Sequence, residues 1–500
     1  MKIDSQHHLL AAAAAAALTA ATGCATEPPT EPHLAEAPDP SAACVIPAID
    51  VARSLLVSPT SQSEQTQLRT RFTVTRIMKH ILDSSGAARP ASGHELFRRW
   101  WDTQNRSTAA VFADNPHCDD GGGTINGYPV ACPRNEGALA TAQPDSHFPV
   151  ALIYRPDLAA RDGSTCGEAR VLIAKPNDAT GRNLAIFEAA IPNPEPGCGL
   201  AGCRKIAQFW ASLSTNDSSP QRLDALERFF FTGLKQATDG VTTRPALDAA
   251  NLGLPDAAGA RRGQIRTNQF MTGPSPRVWQ LREFQLARAC TGTSCRLYFE
   301  PVSVKGNPWG ALWNDADPSP LGPAFRADLL DQLPSLAAGD VNALGYALAG
   351  AYNAGQSNAG GTENRYTVHL GLGDPAGFRQ AITDRLAALG ISLTAEEIAT
   401  RATTQSCGGC HQLTNNAALG GLDAAGAPLT WPPSAGFAHV LESGARSPAL
   451  ENVFLPRRRQ LLTQLLLDTC ATTCAAPSAG PSAALSAPDP TPLAGKHIVH

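Results

Sequence analysis

The residues best suited to chemistry in this 500-residue chain lie together in SCGGCHQL, positions 406–413. Cys407 and Cys410 stand two residues apart, and His411 follows directly. Such a pair can do three things. Its sulfurs can add to the two vinyl groups of one haem, with the adjacent imidazole beneath the iron. They can cycle between dithiol and disulfide, a role that favours the start of a helix after a strand. They can supply half of a tetrahedral zinc site, which needs a further ligand at suitable spacing. No such ligand is near in sequence, and the pair sits where a helix should end.

That helix is marked by Thr394 as N-cap and Glu397 three residues on, a capping box, with Leu393 and Ile398 spaced as a hydrophobic staple. It should run into Cys407. A glycine-rich connection and WPPSAGFAHVLES follow. A second helix is expected in SPALENVFLPRRRQLLTQLLLDTC, with Leu461, Leu462, Leu465 and Leu466 on its apolar face. On these residues, 394–470 resembles a small c-type cytochrome domain, and the rest resembles bacterial lipoproteins that carry such a domain at the C-terminus. The resemblance implies one covalent haem c, with thioethers at Cys407 and Cys410 and His411 as proximal iron ligand. It also implies electron transfer with a redox partner protein.

The far side of the iron departs from the family. The methionines are Met1, Met78 and Met271, and none follows His411. Between His411 and Cys474 there is one histidine, His439, and no Lys, Tyr or Met. His439 is the candidate distal ligand; as a lone histidine it could equally be a packing residue. Met271 reaching across, or an open sixth position, remain as alternatives. Trp431 and Phe437 are expected to exclude water from the haem.

The chain ends speak of location. Residues 1–23 read as a secretion signal, with an apolar run from Leu9 to Ala21 too short for a permanent span. AATGC resembles a bacterial lipobox, which implies cleavage before Cys24 and lipid on that residue. Ala25 in place of Asp implies the outer membrane, facing the periplasm. Residues 24–48 read as a Pro- and acid-rich tether, and 475–500 as a disordered tail. The formal net charge of −4 with no basic stripe argues against a nucleic-acid partner.

The fold class expected is α+β. Residues 49–320 should form a mixed domain with a mainly antiparallel sheet, 321–393 a helical connection, and 394–474 an all-α cytochrome c-like domain. Strand patterns stand in FPVALIYRP, ARVLIAKP, NLAIFEAAIP, GQIRTNQFM, RVWQLREFQLARAC and CRLYFEPVSVKGNP, the last two as a hairpin. Helices are expected in SPQRLDALERFFFTGL, capped by Ser219, and in DVNALGYALAGAY. GQSNAGG, 355–361, resembles the GQSN block of some acetylesterases, but a helix-like run precedes it and it reads as a loop. Of 13 cysteines, ten remain once Cys24, Cys407 and Cys410 are set aside. Up to five disulfides are expected; Cys118/Cys132, Cys198/Cys203 and Cys290/Cys295 are close in sequence, the first suited to a stapled turn and the last to a hairpin staple, but the pairing does not follow from the sequence and Cys44, Cys166, Cys470 and Cys474 stay open. The function expected is a lipid-anchored mono-haem cytochrome in electron transfer. The alternatives are a peroxidase-like haem oxidoreductase with an open iron and a non-enzymatic envelope lipoprotein.

Overall fold

A computed structural model describes residues 46–178, 181–235, 243–257, 259–268 and 279–470. The signal segment, Cys24, Cys44, Met271, Cys474 and the tail lie outside the described residues. The chain enters through a short edge strand, β1 (Leu56–Val57), and three helices, α1 (Gln62–Arg71), α2 (Val74–Ser84) and α3 (Gly93–Asp102). A small hairpin, β2 (Thr124–Ile125) and β3 (Tyr128–Pro129), precedes the long strands β4 (Phe148–Ala159), β5 (Thr165–Ala174) and β6 (Leu184–Pro192). Helices α4 (Arg204–Ser212) and α5 (Ser219–Phe231) lead to β7 (Gln264–Asn268) and to the hairpin β8 (Gln280–Thr291)–β9 (Ser294–Val302). The large sheet runs β1-β4-β5-β6-β7-β8, antiparallel throughout, with β9 also on β8. The mainly antiparallel α+β expectation therefore holds for this region.

Both faces of the sheet are covered. Val171, Phe187, Ile265 and Phe284 are cross-strand partners on one face. Trp100 of α3 packs there, against Phe187 and Phe284 and stacked on Phe299 at 4.7 Å. Trp210 of α4 stacks on Tyr154 at 5.1 Å. The opposite face carries Arg170 beside Glu188, Leu172 beside Ile186, and Arg266 beside Glu283. These charged residues are buried too, because later parts of the chain lie over them.

Those later parts are α6 (Gly322–Leu330), α7 (Leu333–Leu336), β10 (Ser357–Asn358), α8 (Tyr366–Leu372), α9 (Phe378–Ala388) and α10 (Ala395–Thr404), then β11 (Ala418–Leu422), β12 (Pro428–Thr430) and α11 (Leu455–Asp468). Helices α6 to α10 share a core around Trp313, Tyr366, Ile382 and Ile398. The separate all-α unit expected from residue 394 is not what forms. Helix α10 belongs to that helical core, and the chain then makes the β11–β12 hairpin. Cys410, Leu419, Trp431, Leu462 and Leu465 join the core of the sheet. Helix α11 lies against β4 and α4, because its buried Leu462, Leu465 and Leu466 find apolar surface there.

Three local expectations shift. The cap of α5 is Ser218, whose hydroxyl accepts from Gln221 N–H, one residue before Ser219. Residues 340–352 do not form a helix beyond the short turn Gly350–Tyr352. There the Asn126 amide donates to the carbonyls of Gly350, Ala351 and Asn353. Cys118–Cys132 and Cys290–Cys295 are bonded as expected, but Cys203 pairs with Cys166, whose Cα is 5.2 Å away, and not with Cys198. Cys198 is itself disulfide-bonded, as is Cys470. Among the described residues no helix is long and apolar enough to cross a membrane.

Candidate functional site

Thr394 and Glu397 form the capping box, with Thr394 N–H donating to the carboxylate at 2.7 Å and Glu397 N–H to Thr394 Oγ1 at 3.1 Å. Arg401 fixes the other end of α10. Its buried guanidinium donates to the carbonyls of Leu336, Ala338, Leu419 and Gly420, tying the helix to α7 and to β11. The helix then widens into a π-type turn over Gly409–Leu413. Cys410 N–H still donates to Ser406 C=O at 2.9 Å, so both cysteines and His411 lie on continuous helical backbone.

The two glycines between the cysteines have a packing reason. A Cβ on Gly409 would sit 1.7 Å from Thr403 O, and one on Gly408 would press at 3.2 Å on the backbone of Asn358. That contact comes from the GQSN segment. Ser357 sits on β10, which pairs with the start of β8, and its hydroxyl accepts Gly408 N–H at 2.8 Å while donating to Asn364 Oδ1. GQSN is therefore the seat of the thiol turn.

His411 is aimed by its neighbours. Its Nδ1 lies 3.0 Å from the carbonyl of Phe437. A carbonyl only accepts, so Nδ1 carries the proton and Nε2 is left as a lone pair. Phe437 has φ 66°, a left-handed conformation that presents this carbonyl to the ring. Ser434 Oγ donates to His411 C=O at 2.6 Å, and Asn415 and Ser434 bond each other reciprocally, which fastens the 431–439 segment to the turn. Trp279 stacks on the His411 ring at 4.7 Å.

His439 lies on the same segment, its ring centre 4.7 Å from that of His411. Its Nδ1 is 2.8 Å from Ser447 Oγ, and its Nε2 is 3.2 Å from Cys410 Sγ. Burial lowers His411 to about 4, and also lowers His439, whose ring faces the positive charges of Arg458 and Arg155. Both are neutral imidazoles near neutrality. Burial pushes Cys407 up to about 12 and raises Cys410 as well, so both are thiols. The Cys410–His439 contact is thus a neutral pair and not the thiolate–imidazolium of a nucleophile.

Cys407, His411 and His439 line one cavity of about 80 Å3. Leu172, Leu184, Ile186, Leu281 and Phe454 make apolar walls; Arg155, Arg170, Arg266 and Arg458 stand at the charged end. Arg155 is held by Asp157, and its buried Nη1 has no acceptor among the described residues. Asn268 Oδ1 in the same wall has no donor among them. Among the described residues no three His, Cys, Asp or Glu side chains converge to hold a bare metal ion. Cys407 and Cys410 are the free cysteines of that set.

The four residues singled out near the C-terminus are thus brought together, while Cys24 and Met271 fall outside the described residues. Trp431 packs against Phe454 in the core and does not line the cavity. What sequence reasoning missed is the sheet's contribution: Arg155, Arg170, Glu188, Arg266 and Trp279. The available signal was the recurrence of Arg and Glu inside strand patterns, as in GEARVL, QIRTN and QLREF. Compared with protein-family models, curated proteins and solved structures, the chain matches none.

Proposed function

We propose that this chain carries one covalent haem c in the cavity and serves electron transfer in the cell envelope. Cys24 would carry the lipid that anchors it to the outer membrane, facing the periplasm. The observation that carries this reading is the redox state of the cysteines. Among the described residues Cys407 and Cys410 are the pair left out of the disulfides; Cys407 lines one cavity with two neutral histidines, and Cys410 Sγ lies 3.2 Å from one of them, His439. The donor set fits the group. Two thiols on one helical turn would suit two vinyl carbons, His411 Nε2 would offer a lone pair, and Arg155 Nη1, without an acceptor among the described residues, would be available to the haem carboxylates. Bound haem supplies one-electron exchange at iron. His411 would hold the iron, oriented by Phe437. His439, its Nδ1 directed at Ser447 Oγ, would offer Nε2 as a second nitrogen for the group. Trp279 and the leucines keep water from the site.

A second reading rests on the Cys410–His439 contact at 3.2 Å. If that bond to sulfur persists, His439 would not be available to hold the group, and a peroxidase-like oxidoreductase would follow. The deciding experiment is the optical spectrum of the full chain, made with a haem c maturation system, oxidised and reduced, beside His439→Ala. A sharp reduced α band lost in the variant is the expected result. A high-spin spectrum indifferent to the variant favours the open iron. No covalent haem in the intact-protein mass would defeat both and leave a non-enzymatic envelope lipoprotein.

A further inference from the structure

Behind the cavity, on the same face of the sheet, lies a second, polar cleft open to solvent. The two share a wall made by Arg170 and Arg266. The cleft continues past Arg261, Arg262 and Lys305. Most of its charge is satisfied internally. Arg170 pairs with Glu168 and Glu188, Arg261 with Glu300, and Arg262 with Asp256. Two cations are different. Arg266 is only 4% exposed, and it meets carboxylates through Nε alone, Glu283 at 2.8 Å and Glu188 at 3.5 Å. Its two terminal nitrogens have no hydrogen-bond acceptor among the described residues. Lys305 gives its backbone N–H to Glu283, and its ammonium, though its charge reaches Glu168 and Glu283, has no hydrogen-bond or ion-pair partner among the described residues. The acidic residues that line the cleft, Glu168 and Glu283, are already taken by Arg170, Gln264, Arg266 and Lys305 N–H.

The Arg266 terminal nitrogens are not sealed from solvent, and a planar fork and an ammonium lining one cleft are suited to a small oxyanion. We propose that this cleft binds a small carboxylate or phosphate, held by the terminal nitrogens of Arg266 and by Lys305. The ligand would lie one side chain away from the cavity. The inference stands on the cleft alone and does not require haem in the neighbouring cavity. If haem is present, the same residues make an oxyanion the class of small molecule that meets the redox centre.

The test is calorimetric titration of the full chain, with and without attached haem, using inorganic phosphate and, separately, succinate. Saturable binding of at least one of them is expected in both forms, and which one binds identifies the source of the oxyanion. Arg266→Gln should weaken it about tenfold or more, the scale of a charge-assisted bond lost. Lys305→Gln, on the surface and harmless to folding, should weaken it about threefold. No saturable binding of either anion, or affinity unchanged in Lys305→Gln, would overturn the proposal. Binding confined to the haem-free protein would also overturn it, since Arg266 would then serve the haem's own carboxylates. Should no haem attach, the reading of the cavity fails and the haem-free titration still decides this one.

Discussion

Cys407, Cys410 and His411 were legible as a unit because the haem attachment proposed for them is a local geometry: two thiols and an imidazole on one turn. On that proposal, removing either thiol should leave the other link only. Cys407→Ser and Cys410→Ser are each expected to lower the fraction of covalent haem severely, and the double variant to abolish it, read by intact-protein mass. The histidines also set a pH dependence. Burial holds His147 at about 4, its Nε2 2.9 Å from Asn183 Oδ1, and His411 at about 4. Unfolded, each returns to about 6.5. Between these values the unfolded chain binds more protons, so stability rises with pH and is lost as pH falls from 6.5 towards 4. For the buried His147 this amounts to on the order of 3 kcal/mol. Glu363 acts in the opposite sense, since burial raises its carboxyl to about 7 and stability falls as it ionises. The contribution is therefore read by difference. Denaturant midpoints of haem-free protein at about pH 7 and about pH 5 should move less in His147→Asn than in the wild type. An equal shift would contradict the assignment.

At the scale of elements, the site depends on pieces far apart in sequence. The capping box of α10 could be read directly, since N-cap and N3 are three residues apart and act locally. The role of GQSN could not. Nothing near Ser357 says that its hydroxyl will receive Gly408 N–H, because β10 reaches the turn only by pairing with β8. Ser357→Ala leaves that buried N–H without an acceptor and should cost about 1–3 kcal/mol. Reduced haem loading should follow, since the thiol turn loses its seat. Gly409→Ala is expected to be harsher, because its methyl has only 1.7 Å to Thr403 O. Its yield of folded, haem-loaded protein should fall well below that of Ser357→Ala, measured by absorbance per unit protein.

At the scale of the molecule, the described residues of the C-terminal segment share their core with the sheet. A fragment of residues 394–500 alone should therefore remain unfolded and take up little haem, checked by circular dichroism and haem staining. Had the segment been a self-contained cytochrome, the fragment would fold. The Cys166–Cys203 bond closes a separation of 37 residues between β5 and the start of α4. Replacing both cysteines by Ala should cost about 4 kcal/mol, the loop entropy returned to the unfolded chain, with the midpoint of unfolding as the readout.

By itself the sequence determined the features whose physics is local: the thiol–imidazole turn, its capping box, the β8–β9 hairpin with its Cys290–Cys295 staple, and the alternation that makes the long strands. The tertiary structure alone decided that α11 lies on the sheet, that Cys166 meets Cys203, and that His439 faces His411. It also decided that Arg155, Arg170 and Arg266, which alternate like solvent-facing residues, are buried at one cavity. Strand periodicity separates two faces but does not say which is covered. That depends on where later segments dock, and here the covering segments come more than a hundred residues after most of the strands they bury.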